Sequence, residues 1–174
     1  MHRIAQFYFV SRAQLEEDWR AARLPGEPPE TLRLPARGTS GSAGYDFYSP
    51  VDFTLRPGET ILLPTGVRCR MDEGWVLLLM PRSGLGFKYR LQLNNTVGVI
   101  DADYFGAKNE GHIHMKLTND SREGRTLVLR AGDAVMQGIF VPFGITEDDS
   151  ANAVRVGGMG STDESHNKEK RASK

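Results

Sequence analysis

The stretch Val51–Met80 reads VDFTLRPGETILLPTGVRCRMDEGWVLLLM and predicts a run of short β-strands. Apolar and β-branched residues come in short groups, and turn formers interrupt them at Pro57-Gly58-Glu59 and Asp72-Glu73-Gly74. The alternation continues further along the chain, with another turn at Ala131-Gly132-Asp133. Many short strands with scarcely any helix between them are typical of a sandwich or a jelly roll. The predicted strands are Val51–Leu55, Thr60–Leu63, Val67–Met71, Trp75–Met80, Ile113–Thr118 and Thr126–Leu129.

A helix is predicted near the N-terminus, after a short apolar strand over Ile4–Val10. Ser11 stands three residues before Gln14, as in a capping box, and therefore marks the start of the helix. Proline cannot continue a helix, so Leu24-Pro25 marks its end, and the helical insertion covers about 11–24. Nothing in this helix suggests chemistry, and we expect it to serve packing or assembly. Its packed face carries Leu15, Trp19 and Ala22.

The apolar pattern ends at Gly144. Beyond it come the acidic run Glu147-Asp148-Asp149, a glycine-rich stretch over 157–162 and a polar tail. Such a segment buries too little apolar surface to offset the entropy lost when it is ordered. We therefore predict a single β domain over 1–143 and a flexible C-terminal arm over 144–174.

Composition excludes several classes of partner. The 174 residues include 22 basic and 22 acidic side chains, for a formal net charge of 0, so no overall field attracts nucleic acid or an anionic membrane. We expect no membrane span and no signal peptide, because no apolar stretch is long enough for either. Cys69 is the sole cysteine, which is typical of a protein in a reducing cytoplasm. Its place in a predicted strand indicates a packed thiol rather than a nucleophile.

The segment Gly98–Gly106 reads GVIDADYFG and carries the most informative chemistry. A β-branched run leads into two carboxylates and an aromatic ring, and a glycine closes the segment. This pattern predicts a β-hairpin whose turn holds Asp101 and Tyr104. A carboxylate beside a flat ring suits a pocket that holds a planar ligand and activates a water molecule. A hairpin turn with solvated aspartates gives the same pattern.

Three further groups of polar residues allow both a functional and a structural interpretation. His112 and His114 lie two apart on a predicted strand, so their rings face one side. Without a third ligand at recognisable spacing, we expect surface or interface histidines rather than a metal pair. Pro81-Arg82-Ser83-Gly84 places a guanidinium, which suits phosphate oxygens, at the end of a strand. Gly157–Thr162, together with Arg155, either offers amides to a phosphate or forms a linker.

The order of these groups along the chain resembles the five-motif signature of trimeric dUTPases, which hydrolyse dUTP to dUMP and pyrophosphate. The likeness spans about residues 34–163, and five ordered motifs are far more specific than any one of them. Because of the extra helix after the first strand, the chain is similar to a bacterial or phage branch of the family. The matching motifs are Ala43-Gly44-Tyr45-Asp46, Pro81-Arg82-Ser83-Gly84, Gly98–Tyr104, Gly132–Gln137 and Arg155–Thr162.

The resemblance implies an all-β subunit, a distorted jelly roll or β-clip, three copies of which form a homotrimer with shared active sites. Each site takes motifs from more than one chain, and the C-terminal arm of a neighbour closes over the nucleotide. The expected substrate is dUTP. The expected cofactor is Mg²⁺, held mainly by the substrate phosphates, with Asp46 and Gln137 reaching it through water.

The resemblance also assigns roles to individual residues. Asp101 matches the catalytic carboxylate that deprotonates the attacking water. Tyr104 matches the ring that packs on the deoxyribose and excludes a 2′-hydroxyl. The edge that reads uracil matches Asn95, Gly98, Val99 and Ile100. The phosphate-binding and lid residues match Arg82, Ser83, Gly84, Gln137, Arg155, Met159, Gly160, Ser161 and Thr162.

The chain departs from the family pattern at three places. Met159 stands where the arm motif usually has an aromatic residue that stacks on uracil, which predicts weaker closure with activity retained. Asp163 follows where glycine is common, and its carboxylate either repels the γ-phosphate or points into solvent. The loop between Gly106 and His112 is longer than in the shortest family members, and the sequence does not predict its contacts.

Two other functions share much of this pattern. A dCTP deaminase has the same fold but relies on a glutamate in the corresponding segment, whereas this chain has Asp101 in Val99–Tyr104. A non-catalytic nucleotide-binding regulatory protein would not need Asp101, Arg82 and Gln137 together, although the altered arm motif leaves that interpretation open.

Overall fold

The computed structural model describes residues 2–152 together with Arg155 and Gly157. This part of the chain consists mostly of β-strands, which agrees with the all-β class predicted from the strand and turn pattern. The strands are β1 (Ala5–Phe9), β2 (Ala36–Arg37), β3 (Tyr45–Tyr48), β4 (Phe53–Leu55), β5 (Thr60–Pro64), β6 (Val67–Met71), β7 (Trp75–Pro81), β8 (Leu91–Leu93), β9 (Gly98–Ile100), β10 (His114–Asn119), β11 (Leu127–Leu129) and β12 (Ala134–Pro142). The helices are α1 (Arg12–Ala21), α2 (Ser83–Tyr89) and a 3₁₀ helix over Ala102–Gly106.

The largest sheet in the described residues has five strands in the order β2-β3-β12-β7-β9. β12 lies at its centre and pairs antiparallel with β3 on one side and with β7 on the other. β9 pairs antiparallel with β7 at the end of the sheet. Smaller sheets have the orders β5-β10-β8, β1-β6 and β11-β4.

The core lies between these sheets, and alternate residues of several strands face it. In β6 the burial alternates along the strand, so that Val67, Cys69 and Met71 point inward. Gly138 in β12 is packed closely, since a Cβ atom there would lie 2.8 Å from Leu77 Cδ1. Burial raises the pKa of Cys69 to about 12, so the thiol stays protonated and unreactive at neutral pH, in line with the packed role predicted for it.

The N-terminal helix begins where the capping box indicates. The Ser11 side chain accepts a hydrogen bond from the Gln14 backbone N–H at 3.2 Å. Leu15 and Trp19 are buried with Val10 in a small apolar cluster beside the main core. The helix is shorter than the predicted 11–24, because the chain leaves the helical conformation after Ala22 and Arg23 is left-handed, with φ at 56°.

The structure differs from two local predictions. Gly98–Gly106 is not a β-hairpin: β9 ends at Ile100, and the chain turns into the 3₁₀ helix, in which the Tyr104 N–H donates to the Asp101 carbonyl. The second difference is α2: Arg82 does lie at the end of a strand, β7, but a helix that the sequence did not predict begins directly after it. Two of its residues, Gly84 and Gly86, have low helix propensity, so the local sequence carries little helix signal.

None of the helices in the described part of the chain has the length and apolar character needed to span a bilayer.

Candidate active site

A cavity of about 290 Å³ opens beside the end of β9, and we call it the Asp101 cavity. The 3₁₀ helix, the turn after β8 and the start of β10 form its walls. Because β9 is the last strand of its sheet in the part of the chain that the structure describes, one edge of its backbone lies outside the hydrogen bonding of that sheet. The predicted site residues that line the cavity are Asn95, Gly98, Val99, Ile100, Asp101, Tyr104 and Arg155.

Gly98 allows β9 to lie directly on the cavity wall. A Cβ atom at this position would come within 3.1 Å of Leu79 Cβ, closer than side chains normally approach. Leu79 itself is buried in β7 and lines the cavity. A glycine at the first residue of β9 therefore keeps the strand edge close to the cavity.

Asp101 connects β9 to the 3₁₀ helix, and its side chain is about half exposed. Its Oδ2 lies 2.5 Å from Nη2 of Arg155, and Asp103 Oδ1 lies 2.9 Å from Nε of the same arginine. The resemblance places the arm over a neighbouring chain, whereas Arg155 here contacts two carboxylates of its own chain. Asp101 and Arg155 also line a second depression, which adjoins the first through these two residues.

Tyr104 forms a buried wall of the Asp101 cavity, with only 4% of its surface exposed. Its hydroxyl donates to the His112 carbonyl oxygen at 2.9 Å and accepts from the Asn109 side-chain amide at 2.8 Å. Burial raises the pKa of Tyr104 above its usual value, so the hydroxyl stays protonated. Both sides of the hydroxyl are therefore used to fix the ring.

A second group of predicted residues, which we call the Arg82 cluster, comprises Asp46, Arg82 and Gln137. Asp46 in β3 is paired in register with Gln137 in β12. Arg82 follows β7, and its Nε lies 3.2 Å from Asp46 Oδ1. Gly44 leaves room for the amide of Gln137, because a Cβ atom at residue 44 would come within 3.0 Å of Gln137 Oε1.

Ser83 and Gly84 begin α2 beside the Arg82 cluster. Together with Arg82 they line a shallow depression that also includes Asp133. This depression and the Asp101 cavity share no residue. The structure thus brings the predicted site residues together as two groups rather than one.

The remaining predicted lid residues, Met159, Gly160, Ser161 and Thr162, lie outside the described residues, as does Asp163.

Of the surface or interface positions expected for His112 and His114, the surface position is wrong for His112. His112 is fully buried, and the two ring centroids lie 4.4 Å apart. His112 precedes β10, which begins at His114, and the His114 ring lines the Asp101 cavity. The third member of this group is Asp18 of α1, whose Oδ2 lies 2.6 Å from His112 Nδ1 and 3.4 Å from His114 Nε2.

Sequence reasoning missed Asp18 because it lies 94 residues from His112 along the chain. A signal was nevertheless present, since Asp18 follows the buried Leu15 by three residues and therefore shares its helix face. Burial alone would raise the pKa of Asp18, but contacts with His114, Gln14 and His112 outweigh it and hold this pKa well below its usual range. Burial lowers the pKa of His112 to about 4. At neutral pH the pair is an ionised carboxylate and a neutral imidazole.

The family model for dUTPase matches residues 30–163 of this chain. The chain belongs to the dUTPase family. It is 40% identical over 134 residues to the deoxyuridine 5′-triphosphate nucleotidohydrolase of Lactococcus lactis, and the match covers 75% of this chain and 88% of that protein.

Solved dUTPase structures agree with this membership. The crystal structure of dUTPase from Streptococcus mutans matches with a TM-score of 0.59 at 40% identity, covering 70% of this chain and 97% of that one. A mutant dUTPase from phage phi11 of S. aureus, in which a structural Mg(II) ion is described, matches with a TM-score of 0.61 at 23% identity. That match covers 87% of this chain and 98% of the phage chain, and it shows the fold alone.

These matches confirm the family predicted from the five motifs, and with it the β-clip, jelly-roll-like fold. Both bacterial and phage dUTPases are among the similar proteins. α1, over Arg12–Ala21, lies outside the residues that the dUTPase family model matches.

Proposed function

We propose that this chain is a dUTP diphosphatase, which hydrolyses dUTP to dUMP and pyrophosphate by attack of an Asp101-activated water on the α-phosphate. The observation that carries the proposal is the position of Asp101. It lies at the mouth of a cavity bounded by an unpaired strand edge and a buried tyrosine ring. Membership of the dUTPase family gives the substrate class.

The edge of β9 offers the chemistry needed to read uracil. Uracil presents an N3–H donor between two carbonyl acceptors, and the free amide and carbonyl groups of a strand edge complement that pattern. Cytosine presents a different pattern and leaves buried groups unpaired, at a cost of about 1–3 kcal/mol each. The cavity volume of about 290 Å³ is on the scale of a nucleoside rather than of a whole triphosphate.

Tyr104 accounts for the choice of sugar in this proposal. Its ring is buried and its hydroxyl is held on both sides by His112 and Asn109. A ring fixed in this way cannot move aside to make room for an additional hydroxyl on the sugar. The deoxyribose is therefore expected to pack on Tyr104, and a ribose is excluded sterically.

Asp101 acts as the general base. Its carboxylate is half exposed and is paired with Arg155. Substrate phosphates carry more charge than a carboxylate and compete for the guanidinium. Movement of Arg155 onto a phosphate frees a carboxylate oxygen of Asp101, which can then accept a proton from the attacking water. Attack at phosphorus also requires that the phosphate charges be neutralised.

The Arg82 cluster fits the triphosphate and its Mg²⁺. Arg82 supplies a planar donor group suited to phosphate oxygens. The carboxylate of Asp46 and the amide oxygen of Gln137 are oxygen donors on neighbouring strands, the type of ligand that Mg²⁺ prefers, and they would hold it through water. When bound, Mg²⁺ would neutralise phosphate charge and orient the chain of phosphates.

The separation of the Asp101 cavity from the Arg82 cluster supports a homotrimer with shared active sites. Within one chain, the depression that Arg82 lines shares no residue with the Asp101 cavity. An adjacent copy that brings its Arg82 cluster to the Asp101 cavity would complete the site. A reducing cytoplasm is the proposed location, since the buried Cys69 is kept as a free thiol.

The activity is tested by incubating the purified chain with Mg²⁺ and each deoxynucleoside triphosphate in turn, with UTP included. We expect dUMP and pyrophosphate from dUTP and little monophosphate from the others. Ammonia released from dCTP would instead identify a deaminase. Binding of nucleotide without any product would identify a regulatory protein.

Asp101→Asn tests the role of the base. Turnover is expected to fall by about 10²–10⁴-fold, the contribution of a positioned general base, while binding of a non-hydrolysable dUTP analogue changes little. Asp103→Asn is the matched control, because it removes the other carboxylate that pairs with Arg155 and should lower turnover far less. Near-normal turnover in Asp101→Asn would overturn the assignment.

A further inference from the structure

The N-terminal helix α1 contacts a residue that lines the Asp101 cavity, although it lies outside the residues that the dUTPase family model matches. Asp18 of this helix is in contact with His112 and His114, and His114 lines the cavity. Ser11, which caps the helix, donates from its backbone N–H and its hydroxyl to the two carboxylate oxygens of Glu110, at 2.8 and 2.6 Å. α1 is therefore attached by polar contacts to the segment that follows Tyr104.

His112 links Asp18 to Tyr104 through two hydrogen bonds, one at its ring and one at its backbone carbonyl. The backbone N–H of Gly66 donates to His112 Nε2 at 2.7 Å, so that nitrogen carries no proton. The proton of neutral His112 must then lie on Nδ1, which donates to Asp18 Oδ2 at 2.6 Å. The carbonyl oxygen of the same histidine accepts from the Tyr104 hydroxyl at 2.9 Å.

The loop between the 3₁₀ helix and His112, whose contacts the sequence did not predict, completes this connection. Glu110 in the loop binds Ser11 and also lies 3.7 Å from Arg68 Nη1. Gly111 packs directly on the backbone of the tyrosine, since a Cβ atom there would lie 2.5 Å from the Tyr104 carbonyl oxygen. Any displacement of the loop would therefore be transmitted to Tyr104.

The tautomer of His112 argues against a metal ion in this cluster. The ligand atoms of Asp18, His112 and His114 lie within 4.8 Å of one another, as in a three-ligand site. A metal on His112 Nδ1 would displace the proton that faces Asp18, while Nε2 still accepts from Gly66. The ring would have to become an imidazolate or lose the Gly66 hydrogen bond. An organising hydrogen-bond network explains the same geometry without that cost.

We propose that Asp18 is a positioning residue for sugar discrimination: through His112 it holds Tyr104 in the place that excludes a 2′-hydroxyl. This inference rests on the proposed role of Tyr104 in the proposed function. α1 is then a functional addition to the family domain, because its carboxylate determines how rigidly one wall of the substrate cavity is held.

The test compares kcat/KM for dUTP with kcat/KM for UTP in Asp18 variants. Asp18→Ala should lower the preference for dUTP by about tenfold, the effect of one lost hydrogen bond to a charged group. Asp18→Asn should restore most of the preference, because the amide oxygen still accepts from His112 Nδ1. Glu17→Ala, an exposed carboxylate on the same helix, is the matched control and should leave the preference unchanged. Assays are run below the melting temperature of every variant.

Tyr104→Phe extends the test in case Asp18→Ala does not fold. It keeps the ring but removes the hydroxyl bonded to His112, and it should lower the preference to a similar extent. A folded Asp18→Ala with unchanged preference, an Asp18→Asn that is as defective as Asp18→Ala, or a Tyr104→Phe with unchanged preference would each overturn the proposal. So would a rise in melting temperature on adding Zn²⁺ that Asp18→Ala abolishes, since the cluster would then be a metal site.

Tyr104→Ala separates this inference from the proposed function. Loss of the ring should reduce the preference for dUTP more than any Asp18 variant. If Tyr104→Ala lowers the preference and Asp18→Ala does not, the positioning role fails and the proposed function stands. If Tyr104→Ala leaves the preference unchanged, the role of Tyr104 itself is wrong.

Discussion

The Asp101 cavity and the Arg82 cluster differ in how far each is enclosed by residues of a single chain. The cavity has a buried ring, 4% exposed, and a strand edge backed by Leu79. The Arg82 cluster lies open, with the Arg82 side chain 47% exposed and paired only with Asp46 among the carboxylates of the described residues. Under the proposed function, one chain would build the nucleoside end of the site and an adjacent copy would complete the phosphate end.

The two ends also differ in how their charges are arranged. At the Asp101 cavity and the depression that adjoins it, Asp101 and Asp103 share Arg155, so the carboxylates outnumber the guanidinium. In the Arg82 cluster, one carboxylate faces one guanidinium. Asp101 therefore lies apart from the Arg82 cluster, and the guanidinium that it does contact, Arg155, is the one that the proposed function moves onto a phosphate.

The largest effect is expected from mixing two defective chains. Asp101→Asn and Arg82→Ala should each have little activity at low dUTP concentration. If a site takes Asp101 from one chain and Arg82 from its neighbour, every trimer that contains both variants has one intact site of three and regains about a third of the wild-type activity. Co-expression with two affinity tags and assay of the doubly purified protein measures this.

The control for mixing is each variant co-expressed with a differently tagged copy of itself, which should regain nothing. Solution mass, measured by sedimentation, should equal three chains. Mixed trimers without activity would indicate that Asp101 and Arg82 act within one chain. A monomeric mass would remove the basis of the shared site.

Lowering the pH should reduce the stability of the folded protein through the buried His112. The folded-state pKa of His112 is lowered to about 4 from an ordinary 6.5, so the unfolded chain binds more protons between these values. Stability is therefore fully present above pH 6.5 and falls by about 3 kcal/mol as the pH drops to about 4. Asp18, whose pKa is also lowered, adds a further loss below its ordinary value of 3.8.

Urea unfolding from pH 7.5 to 4.5 measures this dependence. His112→Gln should flatten it, since the glutamine does not titrate, whatever its effect on stability at neutral pH. His2→Gln, at an exposed position, should leave the dependence as in the wild type. An equally steep fall in His112→Gln would assign the acid sensitivity to other groups.

Arg82→Gln should weaken binding of the dUTP phosphates at the Arg82 cluster without changing binding of the nucleoside in the Asp101 cavity. Loss of a charge-assisted hydrogen bond costs about 1.5–3 kcal/mol, which corresponds to about a 10–100-fold rise in KM for dUTP. Inhibition by deoxyuridine, which has no phosphate, should stay the same. Arg122→Gln, an exposed arginine, serves as the matched control. An equal loss of deoxyuridine binding would show that the two ends are not separate.

The sequence predicts well those elements that are determined by residues close together in the chain. Val67–Met71 was predicted with the bounds that β6 has, because its alternation of buried and exposed residues is regular. The start of α1 was evident from Ser11 and Gln14. The motif order identified the family, since it depends on residue identity and not on geometry.

What the sequence does not predict is contact between distant segments. α2 contains two glycines and is anchored at its start by the Arg82 N–H, which donates to the Val135 carbonyl oxygen, a partner 53 residues away in the chain. In the 3₁₀ helix found in place of the predicted hairpin, the Tyr104 hydroxyl bonds to the carbonyl oxygen of His112, a contact that the local pattern does not show. Asp18 belongs to the site only through tertiary packing of α1, so no local pattern marks it as functional.

The smallest effect is expected at the arm. Where the family has an aromatic residue that stacks on uracil, this chain has Met159. Met159→Phe should lower KM for dUTP by about two- to tenfold, since an aromatic pair contributes about 0.5–1.5 kcal/mol. Met159→Leu, which changes the side chain without adding a ring, should leave KM near the wild-type value.

Because uracil and not phosphate would be covered, the gain should persist in Arg82→Gln. Steady-state kinetics of the single and double variants measure this. An unchanged KM and turnover in Met159→Phe would contradict stacking on uracil. If the lower KM disappears when Arg82→Gln is added, the arm acts on the phosphates instead.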